Sequence, residues 1–173
     1  LFQLILLSVL LCFIRPAAAN VSLLILGDSL SAGYGIASAD SWPNEVQRRW
    51  QQQHPSFQLI NASISGETTA GALNRLPQLI ELHQPDWVFV ELGQMIQLLE
   101  AANIKVAVSE IDLPPSMGSR YTRMFRKSFE QLAEQHPNIV FIPFFMREIA
   151  VQPEYMQVDG IHPNAAAQVA IAN

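Results

Sequence analysis

Leu23-Leu24-Ile25-Leu26-Gly27-Asp28-Ser29-Leu30-Ser31-Ala32-Gly33 is the stretch that decides the fold. Four apolar residues run straight into Gly-Asp-Ser, which reads as a buried strand that stops abruptly and presents a serine just past its carboxyl end. Open α/β sheets keep their chemistry at that edge. A hydroxyl there is a candidate nucleophile if a base can reach it. Otherwise Ser29 serves to cap a following helix.

Working outward, one cadence repeats. Strands are expected over 21–26, 57–61, 87–92, 104–109 and 139–142, with helical composition over 42–53, 68–83, 94–103, 121–135 and 163–172. Alternation of this kind predicts an α/β fold: about five parallel strands in a sheet covered by helices on both faces. Three helices end at His-Pro or His-Gln-Pro before a strand, where proline stops the helix and pushes the preceding residue toward extended geometry. Pro163 suits the first turn of the last helix. Between the third and fourth strands lie only residues 93–103, eleven in all, near the minimum of about ten to twelve for a parallel crossover.

Half of the 173 residues are hydrophobic and 14% are charged, which excludes a disordered chain and allows one domain with a sizeable core. The net charge of −5 argues against a nucleic-acid binder. The first nineteen residues stand apart. They are apolar up to Ile14 except for Gln3 and Ser8, then close on Pro16-Ala17-Ala18-Ala19, the pattern of a secretory signal cleaved after Ala19. The expectation is a signal peptide over 1–19, one domain over 20–173, a periplasmic or secreted product, and no stable membrane span after cleavage. The single cysteine, Cys12, falls inside the signal, so no disulfide is expected in the mature chain.

A base for Ser29 is found far downstream, in Asp159-Gly160-Ile161-His162-Pro163-Asn164. His162 sits three residues after Asp159 across a glycine turn. That spacing lets a carboxylate orient the imidazole while its other nitrogen faces the serine. The alternative is that both residues cap the helix that follows. Asp28 is a poor base, because consecutive residues at a strand end point in different directions; holding the loop by hydrogen bonds suits it better. His54, His83 and His136 sit at helix ends and read as structural. No metal-ligating cluster and no phosphate-binding glycine loop occurs, so neither a metal nor a cofactor is expected. The backbone N–H of Ser29 is one donor for a developing oxyanion. Asn61-Ala62-Ser63-Ile64-Ser65-Gly66 follows the second strand and can bring the Gly66 N–H to the same edge, unless Gly66 merely makes a tight turn. Trp42, Trp50 and Trp87 read as core, and so do Met117 and Tyr121, whose alternative is to line an acyl pocket.

Leu-Gly-Asp-Ser-Leu-Ser (26–31), Asn-Ala-Ser-Ile-Ser-Gly (61–66), Val-Glu-Leu-Gly (90–93) and Asp-Gly-Ile-His-Pro-Asn (159–164) together resemble the blocks of the SGNH, or GDSL, hydrolase family, most of all its periplasmic thioesterase/lysophospholipase/arylesterase type. The resemblance spans nearly all of 21–170. It implies a three-layer, flavodoxin-like sheet. It implies Ser29 as nucleophile, His162 as base, Asp159 as its orienter, and Ser29 and Gly66 as oxyanion donors. It implies hydrolysis of acyl esters, acyl thioesters or lysophospholipids by a monomer. The family continues Gly-x-Asn-Asp after the third strand. Here Gly93 is followed by Gln94-Met95-Ile96, so that block reads as deleted, with Gln94 a weak substitute amide, and the final helix reads as cut short. The expectation is therefore reduced turnover, with an impaired relative that binds acyl ligands as the alternative.

Overall fold

The computed structural model describes residues 20–91, 95–113 and 117–173. The expected signal over 1–19 and the expected role of Gln94 fall outside them. Five strands form one sheet: β1 (Val21–Leu26), β2 (Phe57–Asn61), β3 (Trp87–Val90), β4 (Lys105–Ser109) and β5 (Val140–Ile142). All four pairings are parallel and the spatial order is β2-β1-β3-β4-β5. The order reverses beside β1, so β1 ends at the switch point where such sheets open a crevice.

The inner strands are apolar on both sides because each side meets a layer of helices. Leu24 and Leu26 of β1, Val88 and Val90 of β3, and Val106 and Val108 of β4 share one core with Ala72 and Leu76 of α3 (Thr69–His83), Ile96 and Leu99 of α4 (Ile96–Ala101), and Phe129 of α5 (Ser119–Gln135). The alternate residues Ile25, Phe89 and Ala107 face the other way, against Trp42, Val46 and Trp50 of α2 (Trp42–Gln53) and against Phe145. Strand side chains alternate between the two faces, which divides one run such as Leu24-Ile25-Leu26 between two cores. Each fully buried side chain of this size contributes about 1.5–3 kcal/mol.

The helix ends refine the expectations. Thr68 caps α3, its side chain accepting from Gly71 N–H, so the helix starts one residue late. α5 starts two residues early, at Ser119, because polar Ser119 and Arg120 continue the turn without adding to its apolar stripe. Pro163 is not in the first turn of α6 (Ala165–Ile171). Asn164 takes the cap, accepting from Ala167 N–H at 3.2 Å, while Pro163 pairs as an isolated bridge with Met156. Gln84 is left-handed (φ 44°) rather than extended before Pro85, and its N–H reaches Ile80 O at 2.8 Å. The histidines do stand at helix ends: His136 Nδ1 lies 2.9 Å from Glu100, and His54 stacks on Phe57. Met117 and Tyr121 are about half exposed, which overturns the core reading for both. α5, which carries Tyr121 but not Met117, turns Phe125 and Phe129 inward instead. Trp42 packs on Phe89 and Phe145, and Trp50 on Phe57. Trp87 carries Lys105 Nζ over its ring at 5.2 Å and lies outside both cores. Among the described residues, no helix is long and apolar enough to cross a membrane.

Candidate active site

Beyond Leu26 the chain turns through Gly27 and Asp28 into α1 (Ser29–Ala32). Asp28 is the cap, its carboxylate accepting from Leu30 N–H at 2.9 Å. That frees the hydroxyl of Ser29 from capping, the alternative the sequence left open. Ser29 sits half-buried at the first helical position, just past the carboxyl end of β1.

The second component arrives from the last loop. Gln157 N–H donates to His162 O at 2.8 Å and Asn164 N–H to Tyr155 O at 2.8 Å, closing the segment between the short 3-10 turn Pro153–Tyr155 and α6. Inside it, Asp159 accepts from Ile161 N–H at 2.9 Å and His162 N–H at 3.0 Å. Its other oxygen lies 2.8 Å from His162 Nδ1. The backbone N–H of His162, then its ring, then Ile161 N–H hold the Asp159 carboxyl down to about 2. Asp159 is thus a carboxylate at any ordinary pH, which assigns the Nδ1 proton to the ring and leaves Nε2 as acceptor. Nε2 lies 2.9 Å from Ser29 Oγ, so the hydroxyl donates to it. The structure therefore brings Ser29, His162 and Asp159 into one relay. Tyr34 lies over the imidazole, centroid to centroid 4.5 Å, and its carbonyl accepts from Gln157 Nε2 at 2.7 Å.

The loop after β2 is laced to the turn that carries Ser29. Ile64 N–H donates to Gly27 O at 3.2 Å, Gly27 N–H to Ser63 Oγ at 3.1 Å, and Asn61 Nδ2 to Ser31 O at 2.8 Å. Gly66, two residues beyond Ile64, has φ 77°, a conformation that favours glycine, and open space on its Cβ side. Among the described residues, neither Ser29 N–H nor Gly66 N–H donates to a protein acceptor. Two unspent donors at a catalytic edge suit a developing oxyanion. Asp28, as expected, holds the loop and does not face the hydroxyl.

Glu91 is the residue sequence reasoning passed over. It follows β3, is 2% exposed, and meets the Ser29 turn from the side opposite the β2 loop. Burial first, and the Asp28 carboxylate second, push its carboxyl up to about 7. The available signal was a lone acidic residue ending an otherwise apolar buried strand. At the same edge, Glu110 and Asp112 after β4 bind Arg126 of α5 and Arg147 beyond β5, a clasp between elements. A cavity of about 540 Å³ is lined by Pro143, Phe144, Phe145, Arg147 and Tyr155, among others. None of Ser29, Asp159 or His162 lines it. Among the described residues, no group of three or more His, Cys, Asp or Glu side chains could hold a metal ion.

Residues 25–94 and 96–173 match the sequence patterns of the GDSL-like lipase/acylhydrolase family. The chain is 42% identical to thioesterase 1/protease 1/lysophospholipase L1 of Escherichia coli K12, over 95% of its own length and 85% of that protein. It is 39% identical to the arylesterase of Vibrio mimicus, over 96% of its length and 93% of that enzyme. Its fold is similar to the crystal structure of the psychrotrophic esterase EstA from Pseudoalteromonas sp. inhibited by monoethylphosphonate. The TM-score is 0.83 at 38% identity, covering 87% of this chain and 92% of that one.

Proposed function

The chain belongs to the GDSL-like lipase/acylhydrolase family, and from that membership we propose that it is a serine hydrolase of acyl esters, acyl thioesters or lysophospholipids that works through an acyl-enzyme. The observation that carries the reading is the relay itself: Ser29 Oγ 2.9 Å from Nε2 of His162, and Nδ1 of the same ring 2.8 Å from Asp159.

In this mechanism the Ser29 oxygen attacks the acyl carbonyl carbon as Nε2 of His162 takes its proton. Asp159 stabilises the imidazolium and does not itself accept the proton. The tetrahedral oxyanion receives hydrogen bonds from the N–H groups of Ser29 and Gly66. Collapse expels the alcohol or thiol with the proton from His162 and leaves the acyl group on Ser29. Water then attacks that ester, His162 again serving as base, and Ser29 is regenerated. Residues 20–173 act as one hydrolase domain, exported to the periplasm or beyond and working as a monomer. The absence of the family's Asn-Asp pair after Gly93, which is followed by Gln94-Met95-Ile96, argues for slow turnover, since loss of one side-chain oxyanion donor costs roughly 10²–10³.

The test compares wild type with Ser29→Ala on a short p-nitrophenyl ester, beside labelling by a fluorophosphonate. Hydrolysis and labelling by wild type alone support the mechanism. Equal rates remove Ser29 from it. A folded wild type that neither labels nor turns over leaves the acyl-binding relative as the better account.

A further inference from the structure

The geometry points to Glu91 as a positioning residue for the nucleophile: its buried carboxyl clamps the Gly27–Ser31 turn from the β3 side and so sets Ser29 Oγ within reach of His162. The inference rests on the hydrolase reading for its kinetic consequence, and on the coordinates alone for the clamp.

Leu26 of β1 pairs with Val90 of β3, so the next residue of each strand, Gly27 and Glu91, stand side by side. One carboxyl oxygen of Glu91 accepts from Asp28 N–H at 3.0 Å. The other is hydrogen-bonded to the hydroxyl of Ser31, which is fully buried. These two anchors are the residue just before the nucleophile and the residue two after it. The carboxyl lies so close to the backbone that a Cβ on Gly27 would stand 2.6 Å from it. A glycine there is what lets the acid approach.

On the far side of the turn, Ser63, Ile64 and Asn61 do the corresponding work. The β2 loop therefore holds one flank and Glu91 the other, and the Ser29 hydroxyl emerges between them. Among the described residues, Glu91 makes no ion pair. A buried carboxyl without a cation is costly. Among the described residues, each of its polar contacts falls on the turn that presents the nucleophile. Burial favours its neutral form, while the hydrogen bonds it accepts from Asp28 N–H and from the Ser31 hydroxyl favour the charged one.

Three variants test the clamp. Glu91→Gln keeps an acceptor for Asp28 N–H and an amide that can still pair with the Ser31 hydroxyl, which both donates and accepts. Glu91→Met keeps length and apolar volume and removes both hydrogen bonds. Glu91→Ala removes the group. Expected is kcat within about threefold of wild type for Gln, and a fall of about 10- to 100-fold for Met, with KM little changed, because misplacement by an ångström costs up to about 10². The rate of fluorophosphonate labelling should fall with kcat. An arm independent of turnover follows the His162 ring nitrogens by NMR, whose shifts report the hydrogen bond to Ser29. That bond should persist in Gln and weaken in Met and Ala. A folded Met variant with wild-type kcat and an intact Ser29–His162 bond overturns the clamp while the hydrolase reading stands. A wild type without activity, in which Met still breaks that bond, keeps the clamp and overturns the hydrolase reading. Should Met and Ala fail to fold, a Gln variant that folds but does not restore kcat also overturns it.

Discussion

Ser29 Oγ and His162 Nε2 lie 2.9 Å apart across 133 positions of sequence. One sits just past the end of β1, the other in a loop closed by its own backbone bonds ahead of the last helix. Their meeting depends on two turns held independently, and each turn yields a measurable consequence.

The His162 turn is held by Asp159. Its three hydrogen bonds favour the carboxylate and lower its proton affinity from the ordinary 3.8 to about 2. A depressed carboxylate contributes stability that is present above its ordinary value and lost as pH falls through the folded one. Carbon-13 titration should therefore place the Asp159 midpoint near 2. Asp159→Asn should lower kcat by about 10⁴ with the fold intact, because the amide favours the wrong imidazole tautomer. A midpoint near 3.8 would mean that the bonds to Ile161 and His162 are not formed in solution.

The Ser29 turn is held by Glu91, and here the sign is opposite. Its folded value is raised from 4.5 to about 7, so the folded chain keeps a proton that the unfolded chain has released. That contribution is complete below 4.5 and is lost as pH rises toward about 7. Urea denaturation from acid to neutral pH should show wild-type stability falling relative to Glu91→Gln, with a slope on the order of 1 kcal/mol per pH unit. A constant difference between the two proteins over that range would show that Glu91 ionises alike in both states.

Gly27 and Glu91 should couple energetically. Gly27→Ala places a methyl against the buried carboxyl and should cost about 1–3 kcal/mol. In a Glu91→Ala background the obstacle is gone, and the same methyl should cost less, with a coupling of about 0.5–3 kcal/mol in a double-mutant cycle. Additive effects would place the clash elsewhere.

Much of this was legible in the chain. The run Leu23–Leu26 into Gly-Asp-Ser, the cadence of strands and helices, and the Asp159/His162 spacing each depend on local pattern, and the sheet and the relay followed them. Met117 and Tyr121 were misread because apolar character does not say which way a side chain faces; Met117 lies ahead of α5, and α5 points Phe125 and Phe129 inward while Tyr121 stays exposed. The last helix was expected to open two residues early, at Pro163, because Asn164, a better cap, competes for the same end. Glu91 was missed because nothing in its neighbours along the chain says that Gly27 and Ser31 stand beside it.

The sequence by itself determined that this chain folds as an α/β sheet with a serine at the end of its first strand, because periodicity, turn residues and strand ends are local properties. Only the tertiary structure decided that Asp28 takes the cap and leaves the Ser29 hydroxyl free, that the hydroxyl faces His162, and that Glu91 grips the turn from the β3 side. Those are relations across strands and loops distant in sequence, set by register and packing to within an ångström, and no spacing along the chain encodes them.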